Sequence, residues 1–337
     1  MDNEALPVAR LRSRFPLGRR ALEFALRGLA AAAILALILW RLDLAEAIAI
    51  TARADLRWLL ASVVLALVVK VLPALAWRAL VSAQEMNVSI RRLILFHYVS
   101  LFFNNFTPSN IGGDVARAYL LSRWTGEAVG ASVSIVVLKL LTTFSLLLLV
   151  LIATPYAASL AGDSAISGLP FGLAFFVLAL VLVGSLVVGW KILDRQMGRL
   201  GPVGRWLRQG LDSLASFRNS RGALLRAYFW VLLSQVVSLG VPYLIGLALS
   251  LQLKPFYFLA FMPMIRLASM VPISPGGLGV REGAFVVLFT QLGLSPEAAF
   301  SLSLLNLAII TLATLPGGVL YLLGTTGVQR ESQVSPK

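Results

Sequence analysis

Apolar runs of about 20 residues alternate along this chain with short polar and basic segments, and that length suffices to cross the hydrocarbon core of a bilayer. Six runs are uninterrupted and predict full spans at about 22–42, 57–80, 128–153, 168–191, 226–251 and 299–323. Stretches such as Leu146 to Ile152 are apolar at every position, so the alternation of a β-barrel wall is absent. Two further stretches, about 92–123 and 256–292, are equally apolar but broken near their middles by Pro, Gly and charge. Each predicts a re-entrant pair of half-helices that meets at the break and leaves on the side it entered. Ala45-Glu46-Ala47 resembles a signal-cleavage site, but Leu22 to Leu42 is long enough to span and predicts an uncleaved first helix.

The two breaks carry one motif. Pro108, Gly112-Gly113 and Arg117 recur at Pro272, Gly276-Gly277 and Arg281, a shift of 164 residues. The same shift lays 57–80 over 226–251 and 128–153 over the last span, while 22–42 falls only roughly on 168–191. Each half then holds three crossings and one broken pair. An odd number of crossings inverts one half relative to the other. The expected architecture is an all-α polytopic membrane protein of two inverted-topology repeats, with six full spans and two re-entrant pairs. Its segments are a basic cytoplasmic stretch at 1–21, a first repeat at 22–153 containing the pair 92–123, a second repeat at 154–323, and a tail at 324–337. The second repeat contains the pair 256–292 and a basic cytoplasmic loop at 192–225.

Charge supports that layout. Hydrophobic residues make up 58% of the 337 and charged residues 13%, where a soluble domain has roughly 25% charged. The net charge of +14 is spread over loops and flanks. Arg10, Arg12, Arg14, Arg19, Arg20 and Arg27 precede the first span, and Lys191, Arg195, Arg199, Arg205, Arg208, Arg218, Arg221 and Arg226 crowd one central loop. This is the positive-inside bias, with both termini cytoplasmic, and no basic domain suited to nucleic acid emerges. The bias holds for every loop only if neither broken pair crosses completely. The chain has no cysteine and one histidine, so thiolate and His-cluster metal sites are excluded and no cofactor is expected.

At the second break, Ser274 followed by Pro275 predicts a helix start, with Ser as cap and Pro at the first position. At the first, the polar run from Asn104 to Asp114 offers several caps, including Thr107, Ser109 and Asn110. Half-helix N-termini at membrane depth attract anions. Arg117 and Arg281, close to those positive ends, need anionic partners. Asp114 lies on the same helix face as Arg117, whereas Glu282 is adjacent to Arg281 and is expected to face elsewhere. Lys70, Lys139 and Arg266 also fall within spans, giving five cations against two anions at membrane level. Facing lipid, each would cost about 2.5–3.5 kcal/mol, so most must face inward. Lys70 and Lys139 are open to either a cavity or snorkelling. Two readings of the motif charges stand: pairs that lock the halves together, or a cavity that meets a negatively charged substrate. His97, Gln235 and Asn306 are read as packing residues, and Pro73 and Pro242 as kinks.

The stretch Asn104-Asn105-Phe106-Thr107-Pro108-Ser109-Asn110-Ile111-Gly112-Gly113-Asp114-Val115-Ala116-Arg117, paired with Pro272-Ile273-Ser274-Pro275-Gly276-Gly277-Leu278-Gly279-Val280-Arg281-Glu282, resembles the flippase-like transmembrane domain of lysylphosphatidylglycerol synthases and of stand-alone prokaryotic proteins sharing that domain. The resemblance spans about 22–323 and implies lipid translocation between leaflets of a prokaryotic inner membrane, aided by re-entrant helices. About 14 residues follow the last span, so the resemblance does not extend to a soluble aminoacyl-transferase domain. The expected substrate is an anionic phospholipid or lipid-linked intermediate. The substrate-binding candidates are Asn104, Asn105, Pro108, Ser109, Asn110, Gly112, Gly113, Asp114, Arg117, Arg266, Ser274, Pro275, Gly276, Gly277, Arg281 and Glu282. No nucleotide-binding loop is present, so transport is expected to be passive or coupled to an ion gradient or a synthetic pathway. A secondary transporter of a small anion, with Asp114 and Glu282 as proton carriers, and an accessory subunit of a lipid-synthesising enzyme are the alternatives. An enzyme is not expected, for want of a nucleophile, base and orienter set.

Overall fold

The computed structural model describes residues 29, 32–40, 42–105, 112–160, 210, 213, 217, 220–270 and 274–324. All regular structure among them is helical. After a helical stretch at 32–40 come α1 (Leu44–Ala52), α2 (Leu56–Val69), α3 (Leu72–Ala83), α4 (Ile90–Asn104), α5 (Gly112–Thr125) and α6 (Ala128–Leu160). Then follow α7 (Arg221–Val237), α8 (Gly240–Ala248), α9 (Pro255–Met270), a 3₁₀ turn (Pro275–Gly277), α10 (Val280–Thr290), α11 (Pro296–Leu312) and α12 (Leu315–Leu322).

Among the described residues, four helical rods are long and apolar enough to cross a bilayer: Leu56–Ala83, Ala128–Ala153, Arg221–Ala248 and Pro296–Leu322. They correspond to four of the six expected spans. The expected span 168–191 lies outside the described residues, as do the 192–209 part of the basic loop, most of 1–31 and the tail beyond 324.

Three of the rods are interrupted midway. Leu56–Ala83 breaks between Val69 and Leu72, Arg221–Ala248 between Val237 and Gly240, and Pro296–Leu322 between Leu312 and Leu315. Each break lies a few residues before a proline: Pro73, Pro242 and Pro316. Proline has no N–H to donate and its ring crowds the preceding turn, so the ladder is lost there. Pro73 and Pro242 therefore kink as expected. The break before Pro316 was not anticipated.

The first two broken rods pack antiparallel along their length. α3 lies against α7 and α2 against α8, so the two breaks meet at one level. Each rod consequently shares its halves between two cores. One core joins Ala66 of α2 to Phe258, Phe261, Phe285, Phe289 and Leu302. The other joins Ala227 and Val231 of α7 to Trp77, Leu93, Phe96, Leu121 and Leu138. In the first, Phe285 and Phe289 stack with ring centroids 5.5 Å apart and Phe261 meets Phe289 edge-on at 5.6 Å.

The two interrupted segments form helical hairpins, α4 against α5 and α9 against α10. Their outer limbs pack crosswise: the far end of α6 packs on α9, through Leu146, Leu147 and Val150 against Met264 and Leu267, while α12 packs on α4. Glycine makes the second contact possible. A Cβ on Gly317 would sit 2.0 Å from the Tyr98 carbonyl oxygen. On its other flank α4 meets Gly113, whose Cβ would lie 2.2 Å from the Ser100 carbonyl oxygen.

Candidate functional site

The breaks and hairpin tips enclose a cavity of about 360 Å³ at the seam between the two cores. Every wall is the middle of a rod or the tip of a hairpin. Val69, Lys70 and Pro73 come from the first break, and Ser234, Gln235 and Ser238 from the second. Leu138, Lys139 and Thr142 lie near the midpoint of Ala128–Ala153, and Ile310 near that of Pro296–Leu322. The first hairpin adds His97, Leu101, Asn104, Asp114 and Arg117, and the second adds Arg266. Kinked rods cannot close against one another at their kinks. The space left there falls where the hairpins present polar residues.

The cavity holds four basic side chains, Lys70, Arg117, Lys139 and Arg266, and one carboxylate, Asp114. Asp114 Oδ1 accepts from Arg117 Nη2 at 2.8 Å and Oδ2 from Lys139 Nζ at 3.1 Å. Arg117 is buried, with its guanidinium 5.0 Å from the centroid of the Trp77 ring. The Trp77 indole N–H is itself held by Ser134 Oγ at 2.9 Å. Arg117 Nη1 also lies 3.1 Å from His97 Nδ1. Arg266 donates to Gln235 Oε1 at 2.6 Å and Ser238 Oγ at 2.8 Å, both neutral. Among the described residues no carboxylate pairs with Lys70 or Arg266.

Asn104 also starts α5: its Oδ1 accepts from the Gly113 N–H at 2.8 Å, capping the half-helix from across the hairpin. Asn105 turns away and donates to Thr314 Oγ1 at 2.5 Å, tying the hairpin tip to the break before Pro316. Gly112 and Gly113 open α5. Pro108, Ser109 and Asn110 lie outside the described residues.

The second motif departs from expectation in two ways. Ser274-Pro275 does not start the helix. Residues 275–277 make a single 3₁₀ turn, Gly276 and Gly279 take positive φ of 63° and 82°, and α10 begins at Val280. The Ser274 hydroxyl is buried without a partner. Gly277 passes close to α9, where a Cβ would stand 2.8 Å from the Ser269 carbonyl oxygen. Secondly, Arg281 does reach Glu282, through Nη2 at 2.5 Å and Nε at 3.0 Å. Glu282 is the third residue of α10 and curls back to accept from the Gly279 N–H at 2.6 Å. That brings its carboxylate over the helix end, within reach of a long neighbouring side chain. Glu282 is buried and Arg281 partly so; the pair is self-contained and does not line the cavity.

The structure thus joins Asn104, Asp114, Arg117, Arg266, Lys70 and Lys139, and leaves Arg281 and Glu282 apart. It adds His97, Gln235 and Ser238, read from sequence as packing residues or not singled out. The signal for His97 was available: His97 and Arg117 are equidistant from Thr107, so a hairpin folded there brings them together.

Comparison with known proteins follows the same outline. Residues 24–317 match the family described as the lysylphosphatidylglycerol synthase TM region. A UPF0104 membrane protein of Methanothermobacter thermautotrophicus is 26% identical over 277 residues, 73% of this chain and 79% of its own length. The UPF0104 membrane protein PH1989 of Pyrococcus horikoshii is 21% identical over 317 residues, covering 85% and 92%. The glycosyltransferase AglD of Haloferax volcanii is 28% identical over 138 residues, but only 22% of its length is covered. No solved structure matches.

Proposed function

Since the chain belongs to the lysylphosphatidylglycerol synthase transmembrane-region family, we propose that this multi-pass membrane protein moves a lipid with an anionic headgroup between leaflets, as a flippase or scramblase of a prokaryotic cytoplasmic membrane. The carrying observation is the mid-level cavity with four basic side chains against one carboxylate. Unneutralised cations at membrane depth are costly and mark substrate paths. A headgroup carrying negative charge supplies what the walls lack.

The mouth of the cavity favours a lipid over a free solute. Lys139 is 46% exposed, one turn from exposed Val136 and at the edge of the exposed apolar stripe Val136, Leu140 and Phe144. Beside its partner Asp114, Val115 is exposed as well. An ion pair set among apolar side chains that face outward from mid-span offers a headgroup a lateral entrance while its tails stay in hydrocarbon. Two inverted repeats, each with a re-entrant hairpin, supply the frame. The antiparallel packing of the broken rods and the crosswise packing of the hairpins agree with that frame, because inversion turns each element over relative to its counterpart.

The test uses purified protein in vesicles containing a fluorescent anionic phospholipid. Dithionite should quench beyond the outer-leaflet half, and Arg266→Gln should return quenching toward half. Arg266 suits this test because its removal strands no carboxylate. Quenching that stays at half with wild-type protein, accompanied by uptake of a small soluble anion, would replace the lipid reading with the solute one.

A further inference from the structure

The five charges of the cavity are not equivalent. Asp114 spends both oxygens on Arg117 and Lys139, so these three form one linked group in which the Arg117 Nε–H is left over. Lys70 and Arg266 remain, without a carboxylate among the described residues. His97 belongs with them, on a hydrogen-bonding argument. A guanidinium can only donate, so the His97 Nδ1 that faces Arg117 Nη1 at 3.1 Å must accept. The proton of the neutral ring then sits on Nε2. That N–H is buried with no partner, on a side chain that lines the cavity together with Lys70 and Arg266. A buried donor without an acceptor is rare and calls for one.

We propose that Lys70, Arg266 and the His97 Nε2–H form a phosphate-binding subsite, while Asp114, Arg117 and Lys139 hold its far wall and mouth. The inference rests on the lipid-transport reading and deepens it by assigning the substrate class as phosphate-bearing. A phosphate ester has several acceptor oxygens and up to two negative charges, matching two unpaired cations and a neutral donor carried on three separate helices. The guanidinium of Arg266 is pre-oriented for the task, since Gln235 and Ser238 each hold one of its terminal nitrogens. The kink puts Lys70 in the subsite: it is the C-cap residue directly after α2.

Native mass spectrometry of the detergent-solubilised protein reads this directly, by retention of phosphatidic acid against diacylglycerol with the same chains. Wild-type protein should retain phosphatidic acid preferentially; no preference overturns the proposal. Lys70→Met should cut the preference about tenfold, the loss of one hydrogen bond to a charged group, and Lys70→Arg should retain it. For His97, glutamine places an N–H near the position of Nε2, and asparagine an acceptor near that of Nδ1. His97→Asn should lose the preference about tenfold and His97→Gln should keep most of it. The opposite order would mean that His97 serves only to position Arg117, and would overturn its role here. The diacylglycerol signal in each spectrum controls for damage to the fold. Displacement of phosphatidic acid by inorganic phosphate would show that the phosphoryl group alone suffices, and resistance that it is recognised as part of a lipid; both keep the phosphate subsite. Preference without translocation in vesicles leaves the subsite standing and removes the transport reading. Translocation indifferent to Lys70→Met and His97→Asn does the reverse.

Discussion

Replacing Asp114 with asparagine tests the linked group at its centre. The carboxylate bridges a buried arginine at 2.8 Å and a half-exposed lysine at 3.1 Å. Removing one partner of a buried ion pair strands the other charge, at a cost of about 3–5 kcal/mol. The lysine arm contributes only ~0–1 kcal/mol because its side chain is 46% exposed. Asp114 itself is 21% exposed, which places the expected loss near the lower bound, about 3 kcal/mol. Adding Arg117→Gln removes the stranded cation and should recover about 1–2 kcal/mol of that loss, a coupling within the range for contacting residues. The assay is reversible unfolding in mixed micelles titrated with sodium dodecyl sulfate, followed by tryptophan fluorescence. An Asp114→Asn variant that loses less than about 1 kcal/mol, or a double variant as unstable as the two singles summed, would refute the buried bridge.

Two further outcomes separate structure from transport. Arg281→Met leaves the buried Glu282 carboxylate without its cation and should cost about 3 kcal/mol. Protein that remains folded should still translocate at the wild-type rate, because the pair lies outside the cavity; a stable variant that fails in vesicles would put the second motif on the path. Gly317→Ala drives a methyl group into the Tyr98 carbonyl oxygen, 2.0 Å away, and should lower stability by about 1–3 kcal/mol in the same micelle titration. An unchanged midpoint would mean that α12 does not press on α4.

Much of this was legible in the sequence because lipid imposes simple rules. Apolar length gave four rods to within a few residues, and the Pro/Gly breaks gave both hairpins. Inward-facing charge was legible for the same reason: Lys70, Lys139, Asp114, Arg117 and Arg266 could not all face hydrocarbon. What escaped was set by local detail at helix ends. Ser274-Pro275 carries every sign of a helix start, yet three glycines within the next five residues let the chain turn again. The Glu282 cap four residues after Leu278 then fixes the true start. Adjacent residues do not face each other along a regular helix, but Glu282 is on the first turn, where a side chain folds back over the end. His97 escaped because its partner is 20 residues away across a hairpin, and periodicity along one helix carries no trace of that.

The two motif copies differ in chemistry while sharing their spacing, and on the transport reading proposed above that bears on how one site would serve two leaflets. Under the 164-residue shift Asp114 corresponds to Leu278, Lys139 to Ser303 and Thr142 to Asn306. The second half carries neutral residues at these three positions; its own cavity charge is Arg266, and its motif pair, Arg281 and Glu282, lies outside the cavity. Two charged cavities, one per half, would each hold a headgroup at its own depth and trap it there. One cavity at the seam is instead lined near the midpoints of rods from both parts of the chain. In an inverted-repeat frame, tilting either half against the other opens that single cavity toward one leaflet or the other. On the transport reading proposed above, the charge asymmetry between the motif copies serves the mechanism, since a second charged site would add a well on one side of the path and slow release there.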